Sequence, residues 1–437
     1  MTELKLTIKK FVPEKIWISL IKIYNFLKLR DLHNAYLIKK APQRHQKALE
    51  KIRGKKIVKV AFFLNHESVW KYDFLYDLIL QHPKFEPAIF VCPVVNFGNE
   101  NMLFEMNKAF EAFKNKGYNV SKTYDNETGE YLDVKSYFSP DIIFYTNPYE
   151  TLHDYRFYIK QFPNTLTCYV PYSVPTVNYD FTYDLDFHNL VWKIFSETEI
   201  HQKMASEKQR NKGINRIVTG YPGFDLLLMN KSPKEVWKNK NPDLKKMIWS
   251  PHHLMNELSK VSNFLEYCDF FLELAINYKD KLQIAFNPHP LLRIKLENDP
   301  NWGKEKTDNY FNKWENLENG QYGDGYYIDL FLTSDALIHD SGSFMAEYLI
   351  TGKPALFMVR NESVMEYWNV FGEKALAAHY QSRNKQQVID FIENVVLKEN
   401  DSMKEERNTF VKNMLIPQKN RTASENILEY LESQIFQ

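Results

Sequence analysis

Residues 334–358, SDALIHDSGSFMAEYLITGKPALFM, decide how the rest of the chain is read. The short apolar run Ala336, Leu337, Ile338 stops at His339-Asp340, and Ser341-Gly342-Ser343 then open a segment with Phe344, Met345, Tyr348 and Leu349 on one helical face. This is the pattern of a strand, a small-residue turn and a helix start. Ser341 or Ser343 is placed to cap the helix, and Gly342 allows close approach to the backbone. The first-turn amides, with the positive end of the helix dipole behind them, suit a phosphate or pyrophosphate. Glu347 falls one turn further on, where it would accept from a ribose hydroxyl. Thr351-Gly352-Lys353-Pro354 end the helix, and the apolar run 355–358 starts another strand.

Working outward, the C-terminal half repeats the theme. Predicted strands at 246–249 and 282–286 end in Ser250-Pro251-His252-His253 and Asn287-Pro288-His289-Pro290, with a helix over 261–278 between them. Residues 297–326, rich in Asn, Gly and Trp, are expected to be a long functional loop. Helices are expected near 364–369 and over 385–397 and 424–434. In the N-terminal half, predicted strands at 57–64, 87–92, 141–145, 165–170 and 191–195 alternate with helices over 69–81, 102–116 and 197–208. Alternation of this kind gives a doubly wound parallel sheet, whose ligands collect at the carboxyl ends of the strands. That rule singles out Asn65-His66, Asn147-Pro148-Tyr149 and Pro171-Tyr172-Ser173. The Lys-, Pro- and Asn-rich stretch from 232 to 243 is the linker. The expected division is a basic helical extension over 1–55, an acceptor-side α/β domain over 56–231 and a nucleotide-binding α/β domain over 232–437.

Several classes are disfavoured by composition. Three cysteines without paired spacing indicate neither a disulfide framework nor a zinc site. No secretory leader pattern and no long uncharged apolar run are visible, so a cytoplasmic protein is expected. Residues 1–60 hold 16 Lys/Arg against 4 Asp/Glu in a chain whose formal charge is +1, so a basic end adjoins an acidic body. Residues 13–30, PEKIWISLIKIYNFLKLR, form a broad apolar face with a narrow basic one, suited either to an anionic membrane surface or to docking on the body. The basic-aromatic pattern of a nucleic-acid module is not seen. Asp184-Leu185-Asp186 has a spacing used for divalent ions, but it sits in an aromatic loop and chance pairs are common.

The order of three motifs resembles the CDP-glycerol glycerophosphotransferase family of teichoic acid synthesis. Val218-Thr219-Gly220-Tyr221-Pro222-Gly223-Phe224-Asp225 is similar to its Gly-x-Pro-Arg-x-Asp turn, with Gly223 where Arg is usual; Asn287-Pro288-His289-Pro290 to its His-Pro segment; and residues 334–354 to its nucleotide-diphosphate segment. Residues 334–358 are also similar to the Asp-Ser-Gly segment of UDP-N-acetylglucosamine 2-epimerases. The resemblance implies a GT-B fold, two doubly wound domains facing a cleft, and transfer of glycerol phosphate, or a related polyol phosphate, from a CDP-activated donor to a polymeric or lipid-linked acceptor. It implies nucleotide binding by Gly220, Asp340, Ser341, Gly342, Ser343 and Glu347. His289, with His252 or His253, would stabilise the diphosphate, and no metal or other cofactor is expected. The family's acceptor-side histidine stands in a Trp-His-Gly-Thr-Pro segment, where this chain has Tyr172 in Pro171-Tyr172-Ser173-Val174-Pro175. His66 is the substitute base to consider. A membrane-bound acceptor would place the protein on the inner face of the cell membrane. The alternatives are a GT-B glycosyltransferase using a nucleotide sugar, an isomerase of the epimerase kind, and a nucleotide-binding module without turnover.

Overall fold

The apolar, β-rich run VKVAFFL forms β1 (Val58–Leu64), buried along almost its whole length because helices cover both faces of its sheet. A computed structural model describes residues 29–96, 98–230, 232–255, 261–323, 327–417 and 421–436. The N-terminal lobe continues with β2 (Phe85–Val91), β3 (Val120–Lys122), β4 (Ile142–Tyr145), β5 (Leu166–Tyr169), β6 (Lys193–Ser196) and β7 (Arg216–Val218). These seven strands pair in the order β3-β2-β1-β4-β5-β6-β7, each pair parallel.

The C-terminal lobe holds β8 (Lys245–Ser250), β9 (Leu282–Phe286), β10 (Gly320–Tyr322), β11 (Ala336–His339), β12 (Ala355–Met358) and β13 (Tyr380–Ser382). Their order is β10-β9-β8-β11-β12-β13, again parallel throughout. The chain reverses direction across the sheet between β1 and β4 in one lobe and between β8 and β11 in the other. In open parallel sheets such a reversal leaves a crevice at the strand ends.

Three expectations need correction. Residues 297–326 are largely helical: Gly303–Asn316 is a helix that buries Thr307, Tyr310, Phe311 and Trp314, one face spaced at i, i+3, i+4 and i+7 within a polar sequence. A division at residue 55 separates the helix Leu29–Ile52 from the sheet it covers, since Ala41, Ala48, Leu49 and Ile52 are buried and Asn34 Nδ2 donates to Asp186 Oδ2 at 2.5 Å. The membrane-surface face expected over 13–30 falls almost wholly outside the described residues. A division that ends the C-terminal unit at 437 also fails. The last helix, Ala423–Ile435, returns to the N-terminal lobe, where Asp225 accepts from the amides of Ala423 (3.0 Å) and Ser424 (2.8 Å) and Asn426 Nδ2 donates to the Thr219 carbonyl at 3.0 Å.

The two lobes are joined in the middle as well. Asn369 donates through Nδ2 to the Pro175 carbonyl (2.8 Å) and through its amide to the Thr176 carbonyl (2.9 Å), and Asn178 donates to the Tyr367 carbonyl at 2.7 Å. Among the described residues no helix is long and apolar enough to cross a membrane.

Candidate active site

Where β8, β9 and β11 end, three loops converge on one buried carboxylate. Asp340 Oδ1 accepts from the His252 amide at 2.6 Å, and Oδ2 accepts from the Asn263 amide at 2.6 Å and from Asn263 Nδ2 at 3.2 Å. Asn263 Nδ2 also donates to the Met358 carbonyl at 3.0 Å, which brings the end of β12 into the same knot. Burial pushes the Asp340 carboxyl up to about 6 against the pull of these donors and of Arg360. Asp340 is 1% exposed, and its hydrogen bonds hold the loop that carries His252.

The knot brings His252, His253 and His289 together, with ring centroids 4.1 Å apart for His253–His289 and 5.1 Å for His252–His289. A nitrogen from each lies within 4.8 Å of the others, a spacing a metal ion accepts. The backbone sets the protonation of two of them. His252 Nδ1 accepts from the Leu254 amide (3.3 Å) and His289 Nδ1 from the Leu291 amide (3.1 Å). In a neutral ring whose Nδ1 accepts, Nε2 carries the proton and donates. A metal on Nε2 would need the proton moved to Nδ1, against an amide N–H. The donor set therefore fits an anion better than a cation. Burial, with His252 beside it, pulls the His289 imidazole down to about 3, so it is neutral at pH 7.

The expected phosphate turn is less than a regular helix N-terminus. Phe344–Glu347 is a single α-turn that passes into the 3-10 segment Tyr348–Thr351, and Ser343 caps it without a side-chain hydrogen bond. Four residues give little dipole. Ser341 is buried, its amide donating to His339 Nδ1 at 3.2 Å. Gly342 does permit a close approach, but by the other lobe: a Cβ there would lie 2.8 Å from Thr176 Oγ1. Glu347 is also buried, accepting from the Tyr327 hydroxyl and lying 3.9 Å from Lys71 Nζ of the N-terminal lobe. It spans the lobes where a ribose contact was expected. Gly220 lies elsewhere. Its φ of +87° turns the chain against the segment returning to the N-terminal lobe, where a Cβ would stand 2.7 Å from Pro417 Cγ.

A cavity of about 290 Å³ opens between the lobes, with Gly342, Ser343 and His252 on one wall and Tyr149, Tyr172, His188 and Arg216 on the other. The hydroxyls of Tyr172 and Tyr149 are 3.3 Å apart. His66 is not on this wall; its Nδ1 lies 3.4 Å from Glu105 Oε2. Asp184 and Asp186 are taken up by Arg210, at 3.1 and 2.8 Å. Sequence reasoning missed His188 and Arg216. Neither stands at a recognisable motif, and the only sign was Arg216 as a charge at the start of an apolar strand.

Comparison with curated proteins by sequence finds no match. Among solved structures, the fold is similar to the wall teichoic acid polymerase TagF, in a His-to-Asn variant, at TM-score 0.59 and 14% identity over 94% of this chain and 98% of that one. The same variant soaked with CDPG matches at TM-score 0.59 and 14% identity over 95% and 98%. UDP-GlcNAc 2-epimerase from Neisseria meningitidis bound to UDP-GlcNAc matches at TM-score 0.53 and 15% identity over 86% and 100%. At such identities these likenesses show the two-lobed fold alone. The profile of the CDP-glycerol:poly(glycerophosphate) glycerophosphotransferases matches residues 181–433, more than half of the chain, and this protein belongs to that family of transferases, which take glycerol phosphate from a CDP-activated donor.

Proposed function

We propose that the interlobe cavity is where the acceptor meets the donor, and that the acceptor is a polymeric or lipid-linked polyol. The observation that carries this reading is that His252, packed against His253 and His289 at the β8/β11 reversal, lines the cavity opposite Tyr149 and Tyr172. In it, the Nε2–H groups of His252 and His289 donate to the donor's diphosphate, and Ser343 contributes beside them. The acceptor hydroxyl attacks the phosphorus that bears glycerol, a phosphodiester forms, and the pyrophosphate bond breaks to release CMP. Negative charge grows on the leaving phosphate, where a fixed neutral N–H stabilises it without reorganisation.

A strong base is not required. Phosphoryl transfer through a loose transition state depends on positioning and electrostatics more than on nucleophile activation. Tyr172, hydrogen-bonded to Tyr149, orients the acceptor hydroxyl, whose proton is released to water as the phosphodiester forms. His66 takes no part in this scheme, because it faces Glu105. The tautomers of His252 and His289 support a reaction that needs no metal. The basic residues among the first 28 support attachment to an anionic membrane surface, which would place the protein on the inner face of the cell membrane.

The test is CMP release from CDP-glycerol in the presence of a glycerol phosphate acceptor, with and without EDTA. Transfer unchanged by EDTA is expected. Loss of transfer on chelation would turn the histidine cluster into a metal site, and epimerisation of UDP-GlcNAc without CDP-glycerol turnover would overturn the donor.

A further inference from the structure

The acceptor wall of the cavity contains a buried cation that makes no ion pair among the described residues. Arg216, the first residue of β7, is 4% exposed. Its Nε donates to Gln209 Oε1 at 3.0 Å and its Nη1 to Ser196 Oγ at 3.4 Å, both neutral groups. Among the described residues Nη2 has no hydrogen bond and the guanidinium has no ion pair. The carboxyl in its neighbourhood, Glu197, has neither oxygen hydrogen-bonded, and burial raises it to about 7, so near neutrality it is only partly ionised. A buried guanidinium is costly unless an anion meets it.

His188 stands on the same wall. It is 2% exposed, and its Nδ1 accepts from the Leu185 amide at 3.1 Å, so the neutral ring carries its proton on Nε2. No described residue accepts from that nitrogen. Its neighbours hold it in place: Gln209 Nε2 and Asn215 Nδ2 both donate to the His188 carbonyl, at 2.9 Å each. One cationic fork and one imidazole N–H, both buried and both lining the cavity, make a recognition pair for a tetrahedral anion.

We propose that Arg216 and His188 form a subsite for a phosphate group of the acceptor, opposite the histidines that hold the donor's diphosphate. This rests on the reading above that the cavity joins donor and acceptor. It deepens that reading by naming the residues that would select an acceptor ending in phosphate over a neutral polyol.

The experiment compares Arg216→Gln, Arg216→Lys and His188→Asn with the wild type on two acceptors, one ending in glycerol phosphate and one a neutral glyceryl lipid. Arg216→Gln is expected to raise KM for the phosphate-ended acceptor roughly 10- to 100-fold, with partial recovery in Arg216→Lys, a smaller rise in His188→Asn and far less change on the neutral acceptor. KM for CDP-glycerol should stay within about twofold of wild type. A rise in the donor's KM instead would assign Arg216 to the donor's diphosphate, and equal losses on both acceptors would make it merely structural; either overturns the subsite. If Arg216→Gln does not fold, His188→Asn and Arg216→Lys carry the same comparison. Calorimetric titration of the donor-free protein with glycerol 3-phosphate separates the two proposals. Binding that depends on Arg216, in a wild type that does not turn over CDP-glycerol, would sink the transfer reading and keep the subsite; absent or Arg216-independent binding would sink the subsite.

Discussion

The two walls of the cavity are built on different plans. On the donor side, His252, Gly342 and Ser343 line the cavity, and with His253 and Asp340 they come from the ends of adjacent strands, with His289 one strand further out. Each is placed by a loop a few residues long, and one carboxylate ties the loops together. On the acceptor wall, Tyr172, His188 and Arg216 come from a loop, a one-turn helix and the start of an edge strand; hydrogen bonds to Gln209 and Asn215 hold His188 and Arg216, and Tyr149 pairs with Tyr172. The first plan repeats wherever a parallel sheet reverses. The second depends mostly on pairings between segments more than twenty residues apart, as for His188 with Gln209 and Asn215 and Tyr172 with Tyr149. A transferase can keep one donor chemistry on the first wall and alter acceptor choice by rebuilding the second.

The widest gap between the walls should appear on removing His289. His289→Ala is expected to lower kcat by roughly 10²- to 10³-fold, as loss of a preorganised donor to developing charge does, with little change in Tm. Tyr172→Phe, which keeps the ring and removes one hydroxyl, should cost about tenfold or less. Steady-state kinetics on both variants checks the order, and a larger loss from Tyr172→Phe would mean that proton removal and not leaving-group stabilisation limits the reaction.

Asp340→Ala should affect the donor wall through its scaffold. It leaves the His252 and Asn263 amides without their acceptor and Asn263 Nδ2 with only the Met358 carbonyl, and stranding buried donors costs about 1–3 kcal/mol each before relaxation. A net loss of about 3 kcal/mol by chemical denaturation is expected, with activity falling alongside. A fully active, fully stable Asp340→Ala variant would show that the His252 loop holds itself.

The same contrast explains what could be read from the chain. Strands β1, β8, β9 and β11 announce themselves as apolar runs ending in polar turns, so the two doubly wound sheets and the strand-end positions of His252, His253 and His289 were legible. The helix over 303–316 was not, because only Thr307, Tyr310, Phe311 and Trp314 are apolar-facing in a stretch otherwise charged and polar. Nor was the fate of Asp340 and Glu347: both stand where a nucleotide ligand would be expected, and only packing shows one carboxylate used by backbone donors and the other by Tyr327. Arg216 carries no local signal of its burial in sequence, since the exposure of a charge depends on what folds over it and no local pattern encodes that. Tyr172 did reach the cavity, at the position where the family's motif carries a histidine.

Gly220 sharpens the comparison from outside both walls. With φ at +87° and Pro417 within 2.7 Å of a Cβ, Gly220→Ala meets backbone strain and a clash together. About 2–4 kcal/mol of stability should be lost, while the Kd for CDP-glycerol in the variant, measured where it remains folded, stays that of the wild type. Weakened nucleotide binding at unchanged stability would return Gly220 to the donor site.

The smallest effect concerns the acid that shares the acceptor wall's interior. Burial raises Glu197 from its ordinary 4.5 to about 7, so between those values the folded state holds a proton that the unfolded chain has released. Folding stability contributed by this group must therefore fall as pH rises from about 4.5 to 7, and the full cost persists above 7. Glu197→Gln cannot titrate. The variant should match the wild type near pH 4.5 and exceed it by about 1–3 kcal/mol at pH 8. Burial also pulls His45, His153, His201 and His379 down to about 4, which destabilises the fold as pH drops from 6.5. That loss is common to both proteins, although His201 Nδ1 lies 3.8 Å from Glu197 Oε2, so urea unfolding at matched pH isolates the carboxyl. Coincident stability curves from pH 4.5 to 8 would mean that Glu197 is ionised against Arg216 at neutrality, and the guanidinium would then have its counter-charge without any ligand.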